Sequence, residues 1–205
     1  MKKLVLGLSL FCAIGLLAEG VPAVQIEGAD QITPGMSFEE LFVTAMPHKV
    51  NQAELDAFLA ELDNYEAWGN ANPQVWNAAD ETDDPVSVIM SWEELWSDSG
   101  LNAAGTIMVV MKLQAAQMMA QGQINKEQLK RTVAMMKDML DNPDLSEELK
   151  VRMRGQLGNM QRMVDAIDKY PASNTRFYQN NKAAIDSALD RFEAIGQVGD
   201  NTTDE

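Results

Sequence analysis

AAGTIMVVMKLQAAQMMAQ, residues 103–121, is the stretch that decides the fold of this chain. Its side chains are apolar or small almost all the way round a helix, which is typical of a helix in the interior of a protein. The stretch is interrupted by Lys112 and falls short of the roughly 20 apolar residues that span a bilayer. We therefore expect a central helix covered by its neighbours. The alternative is that one face stays open and lines a groove for a peptide, a lipid or a partner helix.

Three further helices are predicted after this stretch, and each has one apolar stripe. The first follows an Asn125 cap, and its stripe has spacings of four, three and four: Leu129, Val133, Met136 and Leu140. The second stripe repeats fours and threes: Leu149, Met153, Leu157, Met160, Val164 and Ile167. The last helix is expected from about 174 to 195. Short connections favour antiparallel neighbours, so the sequence predicts a Met-rich, four-helix-bundle-like region at 101–196.

Residues 37–100 are predicted to form a smaller, acidic, Trp-containing helical region, which makes the whole fold all-α. Ser37 with Glu40 and Asn51 with Glu54 have the spacing of N-terminal capping boxes. We expect 19–36 to be an extended lead-in and 69–84 to be a loop. Pro85 behind an Asp cap favours a helix start, although 86–89 is also compatible with a short strand. This region either packs on the bundle or forms a separate unit.

The first residues have the layout of an export signal. Lys2 and Lys3 precede an apolar run over 4–17, which is too short for a membrane-spanning helix of roughly 20 residues. We predict cleavage after Ala18, giving a signal peptide over 1–18, or alternatively after Ala23. The mature chain is then periplasmic or secreted, without a stable membrane span, and its tail at 197–205 is expected to be disordered. Cleavage also removes Cys12, the single cysteine, so no disulfide is expected.

The charge of the chain is concentrated in its first half. Residues 19–101 hold 17 Asp or Glu and one Lys, a net charge of −16, whereas residues 102–205 hold 14 acidic and 13 basic residues. Nucleic acids and anionic membranes are bound through basic residues, so neither is an expected partner. A solvated acidic surface is the simpler interpretation, and a basic partner is the alternative.

No catalytic constellation is evident in the sequence. His48 is the single histidine, and neither Gly-x-Ser-x-Gly nor His-Glu-x-x-His occurs. Three adjacent carboxylate pairs fall in first turns of predicted helices, where capping explains them: Glu39–Glu40, Glu93–Glu94 and Glu147–Glu148. An EF-hand starting at Asp80 fails, because its sixth and twelfth positions are Pro85 and Ser91. A cell-wall hydrolase with a Glu or Asp acid is retained only as an alternative.

Methionines recur three residues apart on predicted helices, a spacing that stacks two thioethers on one face. The pairs are Met108 with Met111, Met136 with Met139, and Met160 with Met163. Thioethers suit Cu(I), so soft-metal binding is an alternative function. Core packing is the favoured interpretation, because methionine fills irregular gaps among Leu, Val and Ile. No cofactor is predicted.

These observations favour an exported, non-enzymatic protein that works by binding in the cell envelope. The predicted ligand is another envelope protein or an amphipathic small molecule. Aromatic side chains often dominate the energetics of interfaces, so the tryptophans are the candidate contact residues: Trp68, Trp76, Trp92 and Trp96. Core packing is the alternative role for each of them.

Overall fold

The regular structure of this protein is helical throughout the part described by the computed structural model, residues 24–79, 81–97 and 99–196. No strand occurs within those ranges, which confirms the predicted all-α class. The predicted signal peptide, over 1–18 or 1–23, and the predicted tail at 197–205 lie outside the described residues.

One short 3-10 helix, Ala29–Gln31, precedes the α-helices. In chain order these are α1 (Phe38–Ala45), α2 (Gln52–Ala71), α3 (Pro73–Asn77), α4 (Pro85–Met90), α5 (Glu93–Ser97), α6 (Ala103–Ala120), α7 (Lys126–Leu140), α8 (Glu147–Lys169) and α9 (Ala172–Glu193).

Helices α1, α2 and α7 begin where side-chain caps predict. Both expected capping boxes are present: Ser37 with Glu40 opens α1, and Asn51 with Glu54 opens α2. The side chain of Asn125 accepts a hydrogen bond from the backbone N–H of Gln128 at the start of α7. These bonds satisfy N–H groups that the first turn of a helix leaves without intrahelical partners.

Three local predictions need correction. The expected loop at 69–84 contains α3, because Asn72 and Pro73 start a turn of helix behind α2. The strand alternative for 86–89 is wrong, since the side chain of Asp84 caps α4 through the N–H of Ser87. The lead-in at 19–36 is not extended where it is described. Gly28 takes a left-handed φ of 85° ahead of the 3-10 turn, and Ile26 and Ile32 are buried.

The central helix of the protein is α6. It packs against α9 and α1, while α2 also packs against α9, so both compositional halves contribute to one core. Met108, Val109 and Leu113 are among its fully enclosed side chains. The arrangement is bundle-like, but α6 and α9 share their core with α1 and α2 rather than packing only with α7 and α8.

Helices α7 and α8 form an antiparallel hairpin that packs mainly on itself. Its base joins a small cluster containing Ala166 and Ile167, and α8 touches α1 through an Arg162–Glu40 ion pair of 3.5 Å. The far end carries four exposed apolar side chains: Met135, Met139, Leu149 and Val151. We call the segment 135–152 the hairpin tip. Across the described ranges, none of the helices combines the length and apolarity needed to cross a membrane.

A fully buried ion pair joins α6 to α2. Nζ of Lys112 lies 2.8 Å from Oε1 of Glu54, and the two side chains are 0% and 1% exposed. The backbone N–H of Glu27 also donates to Oε1, and that of Asn51 donates to Oε2. The carboxylate that completes a helix cap therefore also neutralises the lysine that interrupts the apolar stretch.

Candidate functional site: an apolar groove beside a tryptophan cluster

A groove of about 1260 Å³ lies along one side of α6. We call it the central groove. Its walls come from α1, α6, the start of α7 and the aromatic residues around α3 and α5. Among the apolar side chains that line it are Phe38, Phe42, Trp76, Trp92, Trp96, Ile107, Val110, Met111, Met118, Leu129 and Met163.

One face of α6 forms the long wall of the groove. Ile107, Met111, Gln114 and Met118 line it at helical spacings of three and four. The remaining sides of α6 are packed into the core. Most of the helix is interior: Ile107 and Met111 on this stripe are themselves buried, at 6% and 8% exposed, and only Gln114 and Met118 are half-buried.

The four candidate tryptophans form one continuous cluster, although they come from three separate stretches of chain. The Trp92 ring is at the centre, with its centroid 5.2 Å from that of Trp68 and 5.1 Å from that of Trp76. Trp96 stacks on Trp92 at 6.3 Å with an interplanar angle of 15°. Such separations are typical of favourable aromatic pairs. The packing alternative thus accounts for much of what these side chains do.

Three of the four tryptophans also face the groove. Trp76, Trp92 and Trp96 line it, whereas Trp68 does not. The indole N–H of Trp96 donates to the backbone oxygen of Ile89 at 2.8 Å. The buried indole N–H groups of Trp68 and Trp92 find no hydrogen-bond partner in the part of the chain that the structure describes.

The charges on the groove are all of one sign. Glu39, Glu81 and Glu193 line it and are exposed, and no Lys, Arg or His is among the described residues that line it. Glu39 accepts a hydrogen bond from the Asn159 amide at 3.2 Å, and Glu193 accepts one from the Gln114 amide at 3.5 Å. We call these three carboxylates the rim carboxylates. The uncharged polar lining is largely amide: Asn77, Gln114, Gln123, Asn125 and Gln128.

The six methionines predicted as a metal alternative are dispersed. Met111 and Met163 line the central groove, and Met108 is buried in the core. Met136, Met139 and Met160 lie on α7 and α8 and do not line it. Within the described ranges, no group of three or more His, Cys, Asp or Glu is arranged to hold a metal ion. The thioether sites stay a prediction.

The other sequence candidates have structural roles. Nδ1 of His48 lies 3.3 Å from a carboxylate oxygen of Glu27, and its ring packs against Gly28 so closely that a Cβ there would lie 2.7 Å away. Asp84 caps α4 and accepts from the N–H of Gly35 at 2.9 Å. Its pKa is lowered by the hydrogen bonds from Ser87 and then from Gly35. The adjacent glutamate pairs occupy first turns of α1, α5 and α8.

No protein-family model, curated protein or solved structure matches the chain. The geometry and charge of the central groove are therefore the basis on which a function is argued.

Proposed function

We propose that this chain is an exported, non-enzymatic binding protein whose central groove takes up the apolar side of an amphipathic ligand in the cell envelope. The observation that carries the proposal is the groove itself. It is a concave surface of about 1260 Å³, lined by tryptophan, methionine and aliphatic side chains. Ligand sites are concave and mostly apolar, with few polar groups.

The placement of polar groups supports binding by burial rather than catalysis. The rim carboxylates are exposed, whereas a glycosidase acid is usually held in apolar surroundings that raise its pKa. The amides of Gln114, Asn125 and Gln128 offer donors and acceptors without a charge. Such a lining suits a ligand whose apolar side enters the groove and whose polar side faces water.

Methionine and tryptophan make the wall adaptable. Met111, Met118 and Met163 line the groove together, and methionine repacks easily around varied apolar surfaces. Trp76 and Trp96 add large surfaces that lose little conformational freedom when they become covered. These residue types are common where a protein binds by apolar contact.

Titration with a non-ionic dodecyl maltoside, below its micelle concentration, tests the proposal. Because Trp76, Trp92 and Trp96 line the groove, occupancy should shift the tryptophan emission to shorter wavelength in a saturable way. Phe38→Ser combined with Met118→Gln should weaken binding at least roughly tenfold, since each loses apolar area worth about 1 kcal/mol or more.

The matched control is Met135→Gln combined with Met139→Gln, which removes exposed apolar side chains outside the groove. It should bind the maltoside as the unaltered protein does. An absence of saturable binding, or equal weakening by both double variants, would contradict a ligand site in the groove.

Export is tested separately, by the mass of the protein recovered from the periplasm or the medium. Removal of the predicted signal gives an N-terminus at Glu19, or at Val24 for the alternative cleavage. Recovery of a chain that starts at Met1 from the cytosol would contradict the export proposal and leave the groove proposal standing.

A further inference from the structure

The exposure of the methionine side chains falls from the hairpin tip to the core. Among the methionines in the part of the chain that the structure describes, Met135 and Met139 are the exposed ones, at 58% and 52%. We call them the tip pair. Met108, in the middle of α6, is fully enclosed at 0%. A thioether is oxidised only where the oxidant reaches its sulfur, so susceptibility follows exposure. The hairpin tip is therefore the place where an oxidant meets methionine first.

Packing does not account for methionine at the two positions of the tip pair. Met135 and Met139 lie four residues apart on one face of α7, and neither belongs to the core clusters of the described residues. Lys, Glu and Gln form helices about as well as Met and are the usual residues at exposed positions. The property that methionine adds there is a thioether, which accepts an oxygen atom from a peroxide.

A second group of methionines belongs to the stripes with which α7 and α8 pack on each other. Met136 lies on the stripe of α7, next to the buried Val133, and is half-buried. Met153 and Met160 lie on the stripe of α8, the first buried and the second half-buried. We call these three the interface methionines. Because the hairpin packs mainly on itself, they become accessible to solvent when the hairpin opens, without unfolding of the core.

We propose that the α7–α8 hairpin is a methionine oxidation site that responds to peroxides in two stages. In the first stage the tip pair is converted to sulfoxides, and the fold is kept because both side chains are already exposed to solvent. In the second stage the interface methionines are converted. The hairpin then opens, because a polar sulfoxide between the two helices disrupts their apolar contact. This site does not depend on what the central groove binds.

Each conversion transfers one oxygen atom from the peroxide to sulfur. A lone pair of the methionine sulfur attacks one peroxide oxygen, so that an S–O bond forms while the O–O bond breaks. The other oxygen leaves as hydroxide and takes up the proton of the transferred oxygen. A thioether and hydrogen peroxide therefore give a sulfoxide and water, and the two electrons lost by the sulfur are gained by the peroxide. No metal or cofactor is needed for this step.

Timed treatment of the whole protein with hydrogen peroxide, followed by peptide mass spectrometry, tests the two stages. The tip pair should gain oxygen at least roughly tenfold faster than Met108, because an enclosed thioether reacts only when the core opens. Circular dichroism should stay unchanged during this first stage. Oxidation of the interface methionines should then accompany a loss of helix content and faster hydrogen exchange in the hairpin, while Met108 is still unoxidised.

Two leucine variants separate the stages. Met135→Leu combined with Met139→Leu should abolish the first stage and leave the later opening of the hairpin. Met136→Leu combined with Met153→Leu and Met160→Leu should keep the first stage and prevent the opening, because leucine has no sulfur and is close to methionine in volume. Protein unfolded in urea is a further control, since the tip pair and Met108 should react at similar rates once burial is removed.

Four results would overturn the inference. If the tip pair reacts no faster than Met108, its side chains are covered in solution by another part of the chain or by a second copy. A loss of helix content during the first stage means that the tip pair is needed for the fold. Oxidation of Met108 together with the interface methionines means that the whole core opens rather than the hairpin. Opening of the hairpin in the triple leucine variant means that sulfoxides between the helices are not its cause.

Discussion

At the scale of single residues, Lys112 and Glu54 form the interaction whose disruption should cost the most. Both side chains are enclosed, and the carboxylate oxygens of Glu54 also accept backbone N–H groups from Glu27 and Asn51. Glu54→Gln keeps the shape but leaves a buried ammonium without its counter-charge. We expect a loss of about 3–5 kcal/mol in the free energy of unfolding, measured by urea denaturation.

A double variant distinguishes the lone charge from the altered cap. Adding Lys112→Met to Glu54→Gln removes the uncompensated charge, so most of the lost stability should return. If Glu54→Gln alone costs less than about 1 kcal/mol, water reaches the lysine and the pair is less enclosed than its exposed fractions of 0% and 1% indicate.

Arg191 links α9 to α2 and makes part of the stability depend on pH. Its guanidinium donates to Glu66 at 2.6 and 2.7 Å and to Asp63 at 2.5 Å. The hydrogen bonds from Arg191 lower the pKa of Glu66. A carboxyl whose pKa is depressed by folding stabilises the protein above its unfolded pKa, about 4.3, and loses that contribution as pH falls through the lower folded value.

The prediction for this link is a pH-dependent difference between two proteins. Arg191→Gln should lower the free energy of unfolding more at pH 6 than at pH 3, because the contribution of Glu66 falls as the pH drops below its unfolded pKa towards the lower folded one. Urea denaturation of both proteins at the two pH values measures it. An equal difference at both pH values means that Arg191 acts by packing rather than by charge.

At the scale of elements, replacing glycine by alanine should have opposite effects on stability in α8 and in α2. Gly155 and Gly158 lie within α8, and a Cβ built on either meets nothing within 4 Å. Alanine there should raise stability by about 0.5–1 kcal/mol per site, because glycine is the weaker helix former. Gly69 in α2 is different, since its Cβ would lie 2.0 Å from Cγ2 of Ile195 and 2.9 Å from the Trp76 ring.

Thermal unfolding of the single variants compares these sites directly. Gly155→Ala and Gly158→Ala should raise the midpoint, and Gly69→Ala should lower it, because the contact with Ile195 forces α2 and the residues that follow α9 apart. A lowered midpoint for either α8 variant would indicate that something packs against that glycine in solution.

The sequence predicts those helices whose start is set by interactions between residues close together in the chain. Ser37 and Asn125 start helices through bonds to residues three positions away, so spacing alone locates them. The sequence does not predict helix α3, because five residues beginning with a proline have little periodicity. Beyond its local start at Asn72 and Pro73, Trp76 of this helix packs on Trp92 and Phe192, and contacts with residues so distant in the chain leave no local pattern.

The lining of the candidate site also comes from residues distant in the chain, so the sequence indicates only some of its members. Residue type indicates the tryptophans as contact residues. Three of them line the groove, and their role in binding stays a prediction. The rim carboxylates do not form a group in the sequence, because Glu39, Glu81 and Glu193 come together only when α1, the segment before α4 and the end of α9 fold around α6. The stripe of α6 that lines the groove has the same helical spacing as the fully buried positions of the helix, so the sequence leaves both interpretations possible.

At the scale of the whole molecule, the two compositional halves do not behave as separate units. One core runs from Ile26 to Ile195 and includes residues of α1, α2, α6 and α9. The helical hairpin of α7 and α8 is the least connected part of the described structure. Apart from residues near its base, it makes few contacts with that core. We therefore expect the hairpin tip to open more easily than the core. We do not expect the acidic half of the chain to differ in this way from the neutral half.

Hydrogen exchange measured by mass spectrometry tests this division. The free energy of opening should be at least roughly 2 kcal/mol lower for amides of the hairpin tip than for those of α6. This difference corresponds to about thirtyfold less protection from exchange at the tip. A pair of helices with one shared face and no third layer is only marginally stable. Segment 164–167 of α8 provides the internal control, since Val164, Ala166 and Ile167 are buried at the base of the hairpin.

Hydrogen exchange measured at several protein concentrations shows whether a second copy covers the exposed apolar side chains of the hairpin tip. Met135, Met139, Leu149 and Val151 are exposed in a single copy, so fast exchange of the tip that does not change with dilution indicates that they stay uncovered in solution. Protection of the tip equal to that of α6, and lost on dilution, would instead mean that a second copy covers them. Met135→Gln and Met139→Gln should then restore fast exchange at high concentration, because removing the apolar contact dissociates the copies.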